Sequence, residues 1–369
     1  MLEREAPPAP PGPAVQALSV DGAMVPLVGG VWGEVKTLAI GTVATLPAGR
    51  PGRPRQEVVT TDLSYFSRMT DHETFTRLAL VETQRRGTET AGTVCAVGDG
   101  ARWIQACIDH HRPDAVRILD WPHAVGYVAA VATAVYGTAT PAATAWLAEQ
   151  KETLLHGEPA VLLRSLAHLL ADLSAVADGS RDRFVWTLPG LHAADPPLHG
   201  VLGREDAARA AAVVDDSLQY LQARQAQMRY AAFRAAHYPI GSGSVESANK
   251  LLVEARLKGA GMHWAPTSVN PMVALRTVAA GDRWAEAVPL IGAVQRRERR
   301  AATTQRRLAR QAEHARLAAE PAAQDRLAAT PIRSSPTAPV RPTPPHRRSS
   351  TPAPNHPWRT GTLRHPRSA

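Results

Sequence analysis

The apolar residues change their period as the chain proceeds. Residues 15–27 and 34–46 run as apolar stretches that read as strands, and 57–61 is a third beyond a Gly/Pro/Arg hairpin region at 50–55. Helical spacing follows. Thr70, Asp71, His72 and Glu73 carry capping-box spacing, Phe75, Leu78 and Leu80 supply apolar positions, and Gly87 is placed to stop the helix. Residues 92–98 are a short, continuously apolar run, the pattern of a strand covered on both faces, and Asp99-Gly100 breaks it. Trp103, Ile104, Cys107 and Ile108 mark a second helix to His111. Residues 116–119 make a fifth strand, ended by Asp120-Trp121-Pro122. The order is strand, strand, strand, helix, strand, helix, strand.

From residue 124 to 236 the composition shifts to good helix formers, covering 124–136, 141–155, 159–177 and 204–235. Gly137, Gly157, Asp178-Gly179 and Asp195-Pro196-Pro197 separate them. With no convincing strand in it, this segment is expected to be an all-helical insertion. Glu246 then opens a helix to Leu257, followed by a basic loop over 256–264. The expected organisation is a disordered leader at 1–14, a core at 15–123, the insertion at 124–236, a return to the core at 237–290 and a tail at 291–369. That tail is expected to begin as a helix and then become disordered.

Charge divides the chain at the tail. The net charge is +9 over 369 residues. From residue 291 onward there are 16 Arg, no Lys and 4 acids, a balance of +12, which leaves −3 for everything before it. The tail is also rich in Pro, Ala, Ser and Thr, a composition that buries too little apolar surface to offset ordering entropy. Such a tail is either a solvated terminus or a non-specific contact to phosphate backbones. The two cysteines, Cys95 and Cys107, fall inside a predicted strand and helix and read as buried structural thiols, which fits a cytoplasmic location. Charged residues break the longest apolar stretches before the roughly 20 residues a bilayer needs, so no membrane span is expected.

Three acids sit where chemistry would need them. Asp21 lies in a strand, Asp99 ends another, and Glu246 stands in the first turn of a helix. Each has an ordinary reading too: Asp-Gly is a turn signal, and an acid in a first helical turn complements the helix dipole. Taken jointly on this element order, they suggest a ribonuclease-H-like α/β fold, a mixed sheet with helices on both faces interrupted by the insertion. Phosphodiester attack by water or a 3′-hydroxyl uses two Mg²⁺ or Mn²⁺ ions about 3.5–4 Å apart, held by carboxylate oxygens. If their strands are adjacent, Asp21 and Asp99 face each other. The long insertion must then leave and return at one place for Glu246 to join them.

Several segments resemble a known family. They are Val20-Asp21-Gly22-Ala23-Met24-Val25-Pro26-Leu27, Gly33-Glu34-Val35-Lys36-Thr37-Leu38-Ala39, Gly98-Asp99-Gly100-Ala101 with Trp103-Ile104, and residues 238–247 through Gly261-Met262-His263-Trp264. Together they resemble bacterial insertion-sequence transposases of the ISKra group, in the Mutator-like branch of DDE transposases. The resemblance runs from about residue 15 to 290. It implies a Mg²⁺-dependent enzyme that cleaves and joins DNA ends with Asp21, Asp99 and Glu246 as metal ligands, working as a homo-oligomer on DNA in the nucleoid. In this branch a Cys-or-Asp, two residues, His motif follows the second acid, and Asp120 and His123 match it. Asp120 followed two residues later by Pro122 equally suits a helix N-cap. Arg256, Lys258, His263 and Trp264 are candidate DNA contacts, with Trp264 either stacking on a base or packing beneath a glycine stop. Family members carry end-recognition modules before the first acid, whereas here 20 residues precede Asp21. That departure reads as a truncated copy. Two other readings remain: an idle DNA-binding remnant, and a structure-specific nuclease.

Overall fold

The computed structural model describes residues 9–47, 56–188 and 198–319. Its sheet is built from β1 (Val15–Pro26), β2 (Trp32–Pro47), β3 (Gln56–Arg68), β4 (Thr93–Gly98) and β5 (Val116–Leu119), in the spatial order β3-β2-β1-β4-β5. β1 pairs antiparallel with β2 and parallel with β4, β2 pairs antiparallel with β3, and β4 pairs parallel with β5. β2 therefore runs against the other four strands. Helices α1 (His72–Arg85) and α2 (Arg102–His111) make the parallel crossovers β3 to β4 and β4 to β5.

The pleat sorts β1 onto two cores. Leu18 and Val20 pack with Leu38, Ile40, Phe75 and Ile104 in the layer of α1 and α2. Ala23 and Val25 pack instead with Ala248, Leu252 and Val253 from the far end of the chain. The central strand β4 is buried along nearly its whole length, which is why its sequence is unbroken apolar. Cys95 and Cys107 are free and buried, and burial pushes the Cys95 thiol up to about 12.

Helix α1 is capped one residue later than the capping-box spacing suggests: Asp71 Oδ1 accepts from the Thr74 backbone N–H at 2.8 Å. Asp binds this donor from the extended backbone of an N-cap. At the other end Gly87 (φ +61°) lets Gly87 N–H reach Gln84 O and Thr88 N–H reach Thr83 O, which stops the helix.

After β5 come α3 (Trp121–Tyr136), α4 (Pro141–His156) and α5 (Pro159–Ala177), then β6 (Phe184–Leu188), β7 (Leu198–Leu202) and α6 (Arg204–Gln222). A 3₁₀ turn at Gln225–Met228 and α7 (Tyr230–Ala235) complete the insertion. Prolines at the first turns of α3, α4 and α5 have no N–H to leave unsatisfied there. The insertion is not all-helical: β6 and β7 form an antiparallel pair. Phe184-Val185-Trp186 is β-branched and aromatic, and only alternate residues are turned inward, so five residues suffice for a strand that helix propensity alone passes over. The breaker at 195–197 and the hairpin region at 50–55 lie outside the described residues.

Among the described residues one helix, α5, is long and apolar enough to cross a membrane by length and composition alone. Leu162, Leu166, Leu173 and Val176 are nonetheless buried beside Leu154, Val214 and Leu221, in a core that the insertion shares with Cys95 and Val97 of β4 and Ile118 and Leu119 of β5.

The chain returns through α8 (Gly243–Asn249), a π turn (Lys250–Glu254) and α9 (Ala255–Leu257), then α10 (Pro266–Ala280) and α11 (Trp284–Ala319). Contacts divide the chain into a unit over Met1–Ala293 and a second over Val294–Ala369. In the second unit the described part is helical, with its side chains exposed as far as Arg316, and the expected disorder beyond 319 lies outside the described residues. The leader differs from expectation within its described part. Gly12 N–H donates to Thr90 Oγ1, which donates to Pro10 O, while Gly92 and Thr93 N–H groups donate to Pro13 and Ala14 carbonyls. Residues 10–14 are tied to the segment entering β4.

Candidate functional site

Register brings the acids together. On the parallel pair β1 and β4, Ser19 lies opposite Val97, so Asp21 and Asp99 come two residues further along each strand. On β4 and β5, Gly98 lies opposite Leu119, so Asp120 is next to Asp99 in turn. Three aspartates thus stand in a row just past the point where the parallel pairing of β1, β4 and β5 ends, although β1 itself continues to Pro26 against β2.

Asp21 is held from two sides. Its Oδ1 accepts from Gly22 N–H at 2.7 Å and its Oδ2 accepts from Asn249 Nδ2 at 2.8 Å. Burial raises its pKa above the usual carboxylate value, those two hydrogen bonds oppose the rise, and the charges of Asp99 and Glu246 add to it. Asp99 Oδ1 accepts from Ala101 N–H at 2.8 Å, closing an Asx turn over Gly100. Glu246 is exposed in the first turn of α8, where Ser242 Oγ donates to its Oε1 at 3.1 Å.

Asn249 is the site residue that the sequence reading missed. It lies three residues after Glu246, so α8 presents both on one face. It is buried, and its Oδ1 has no hydrogen-bond partner while its Nδ2 serves Asp21. A helical i, i+3 Glu-x-x-Asn pattern was the available signal. The π turn that follows widens the helix directly after Asn249, a feature often found beside functional sites.

Asp120 acts as a structural tie. Its Oδ2 caps α3 by accepting from His123 N–H at 3.0 Å, and its Oδ1 accepts from Ser242 N–H at 2.6 Å. Trp121 N–H donates to Ile240 O at 2.9 Å beside it. The insertion therefore leaves and returns at one place. His123 faces aromatic rings, 5.6 Å from Tyr127 and 5.8 Å from Tyr220.

The basic loop is less free than its sequence suggests. Lys258 Nζ pairs with Glu254 at 2.8 Å, and Arg256 lies 6.0 Å from the Trp264 ring centre. Trp264 exchanges backbone hydrogen bonds with Pro26 and Val28 at the end of β1, and its side chain packs on the Val25, Leu252 and Leu257 core. His263 remains exposed. Among the described residues, the hydrogen bonds and ion pairs of these four run to Glu254, Pro26 and Val28 and not to Asp21, Asp99 or Glu246.

A groove of about 1040 Å³ is lined by Ser19 and Val97, each two residues before an acid, and by Ser244 and Ser247 on either side of Glu246, while Asp21, Asp99 and Glu246 themselves do not line it. Among the described residues no three His, Cys, Asp or Glu side chains are gathered tightly enough to form a ready metal cage. What the three carboxylates share is mutual repulsion, centred on half-buried Asp21. The donor chemistry fits a hard divalent cation: these are carboxylate oxygens with no thiolate among them, and a cation relieves the repulsion they build up.

No model of a known protein family matches the chain, and no curated protein matches it.

Proposed function

We propose that this chain is the catalytic core of a DNA transposase, with a ribonuclease-H-like sheet carrying Asp21, Asp99 and Glu246 as the ligands of Mg²⁺ or Mn²⁺. The observation that carries this reading is the register that makes Asp21 and Asp99 neighbours on β1 and β4, with α8 returning Glu246 to within electrostatic reach. The strand order β3-β2-β1-β4-β5, with β2 alone reversed, supports the fold assignment.

Bound in pairs, such cations activate the attacking water or 3′-hydroxyl and stabilise the leaving oxygen. The chain's own residues do the rest. Asn249 and Gly22 N–H orient the Asp21 carboxylate, Ser242 steers Glu246, and the Asx turn aims Asp99. The groove along Ser19, Val97, Ser244 and Ser247 offers a bed for the strand being cut, with backbone unencumbered at Gly241 and Gly243. His123, Arg256, Lys258 and His263 are the proposed contacts to DNA around it.

Supercoiled plasmid and labelled element-end DNA test the reading. The wild-type chain is expected to nick and join ends only with Mg²⁺ or Mn²⁺, and Asp99→Asn to lose at least 100-fold in rate, in the range seen when one electrostatic contributor is removed. Equal activity in Asp99→Asn sinks the proposal. Cutting of branched DNA without joining supports the nuclease reading instead.

A second reading rests on a separate observation. Over 294–319 the helix carries eight Arg and two Glu, a net of +6, with its side chains exposed to Arg316. A protein that binds DNA without cutting it would act through this helix, and its binding would be salt-sensitive and indifferent to Asp99→Asn.

A further inference from the structure

The insertion reaches back to the sheet through α6, at the turn that carries Asp99. The Tyr220 hydroxyl donates to the Asp99 carbonyl, and one helical turn later Arg224 Nη2 donates to the Gly100 carbonyl at 2.9 Å. Arg224 also lies 3.7 Å from the Tyr220 ring centre and donates to the Tyr220 carbonyl at 3.0 Å. The same ring stacks on Tyr127 of α3 at 3.9 Å and 12°. The turn is built to receive this contact: Gly100 has φ +77°, and a Cβ there would collide with Arg224 Nε.

Arg224 is an unusual residue to spend on packing. Its Nε is buried without a partner, and among the described residues no carboxylate pairs with its guanidinium. A partly buried, unpaired guanidinium is costly to keep. The two donors reach the carbonyl oxygens of two consecutive peptide groups, Asp99–Gly100 and Gly100–Ala101, which fixes the turn and with it the direction of the Asp99 side chain.

We propose that Tyr220 and Arg224 are positioning residues for the acid site, making the end of α6 and the turn that follows it the clamp that aims Asp99 toward Asp21. This rests on the reading of Asp21, Asp99 and Glu246 as a cation site. The clamp adds a polar tie at Asp99 to the apolar core through which the insertion already packs on β4 and β5.

The test is Mn²⁺ binding by the full chain, followed by electron paramagnetic resonance alongside melting temperature. Asp99→Asn is expected to abolish saturable binding. Tyr220→Phe and Arg224→Gln are expected to raise the half-saturating Mn²⁺ concentration roughly 10-fold or more, in the range for outer-shell partners of metal ligands, with melting changed by only a few degrees. Should Tyr220→Phe fail to fold, Arg224→Lys carries the same expectation, because it keeps the charge and loses the fork. Wild-type affinity in the clamp variants, with Asp99→Asn inactive in binding, overturns the clamp and leaves the site standing. A wild-type chain that takes up no Mn²⁺ overturns the site reading, and the clamp with it.

Discussion

At the end of α2, His111 is held neutral by where it sits. Burial first and the adjacent His110 second lower its pKa to about 4, with Thr83 Oγ1 3.4 Å from Nδ1 and Nε2 buried without a partner. The folded value lies below the unfolded one of about 6.5, so the unfolded chain binds more protons between them. Stability is full above pH 6.5 and falls as pH drops toward 4, by about 3 kcal/mol in all. Urea unfolding at pH 7.5, 5.5 and 4.5 is expected to show this slope, and His111→Phe to flatten it; equal slopes in both proteins count against the account. Asp21 carries the opposite kind of strain. Its charge is disfavoured by burial and by two like charges, so Asp21→Asn is expected to melt above the wild type in the absence of divalent cations. Added Mn²⁺ should reverse the order, because ligand at 100 times its dissociation constant stabilises the wild type by about 2.7 kcal/mol. A wild-type melting curve blind to Mn²⁺ contradicts this. Asp99 and Glu246 were legible in sequence because an Asp-Gly break and a first-turn acid mark element ends, while Asp21 stood out as an acid inside an apolar strand, where its Asp-Gly pair continues β1 rather than turning. Asn249 was not legible, since a buried amide on an apolar helix face looks the same whether it serves a neighbour or a carboxylate.

Elements were legible where a single strong signal set them. The unbroken apolar run of β4 gave boundaries within a residue of the structure, whereas the helix expected from 124 starts three residues earlier, at Trp121, where Asp120 caps it. The β6–β7 pair was not legible, because its pairing is non-local and Val185 and Val201 stay exposed, which hides the alternation. The π turn after Asn249 likewise has no composition of its own. Residues 10–14 were expected to be disordered as part of a Pro/Ala-rich leader, yet their main-chain groups are held by the Thr90 hydroxyl and by the backbone entering β4, contacts that leave no trace in apolar patterning. At Gly87 the two effects meet: φ is +61°, and a Cβ would press on the Pro10 carbonyl and the Gly12 backbone. Gly87→Ala is therefore expected to cost more than the roughly 1 kcal/mol of the backbone term alone. Protease cleavage near residue 10 should quicken along with the drop in melting temperature. A variant as stable and as resistant as the wild type would remove the leader from the fold's support.

At the scale of the whole molecule, the division of charge was legible by counting, while the insertion's attachment to the sheet was not. No local pattern announces that Asp120 will bond Ser242 across 122 residues or that Tyr220 will bond Asp99 across 121. The arginine helix yields a prediction of its own. Changing Arg296, Arg297, Arg299 and Arg300 to Gln in the full chain removes four exposed charges. If each meets a phosphate, the slope of log affinity against log salt should shallow by roughly 3 to 4, read by fluorescence anisotropy on random-sequence duplex. An unchanged slope places the DNA contact elsewhere. The meeting of the insertion's two ends has a further consequence, which concerns chain entropy. Asp120 pins both ends together, so the segment between them is a closed loop whose closure penalty grows only logarithmically, by about 0.6 kcal/mol for each doubling of length. For the connections between the insertion's elements length is therefore nearly free, whereas the helices themselves are fixed by the core they bury. Lineages of this chain are thus able to lengthen or shorten those connections at little thermodynamic expense, provided that Tyr220 and Arg224 come back to the same spot.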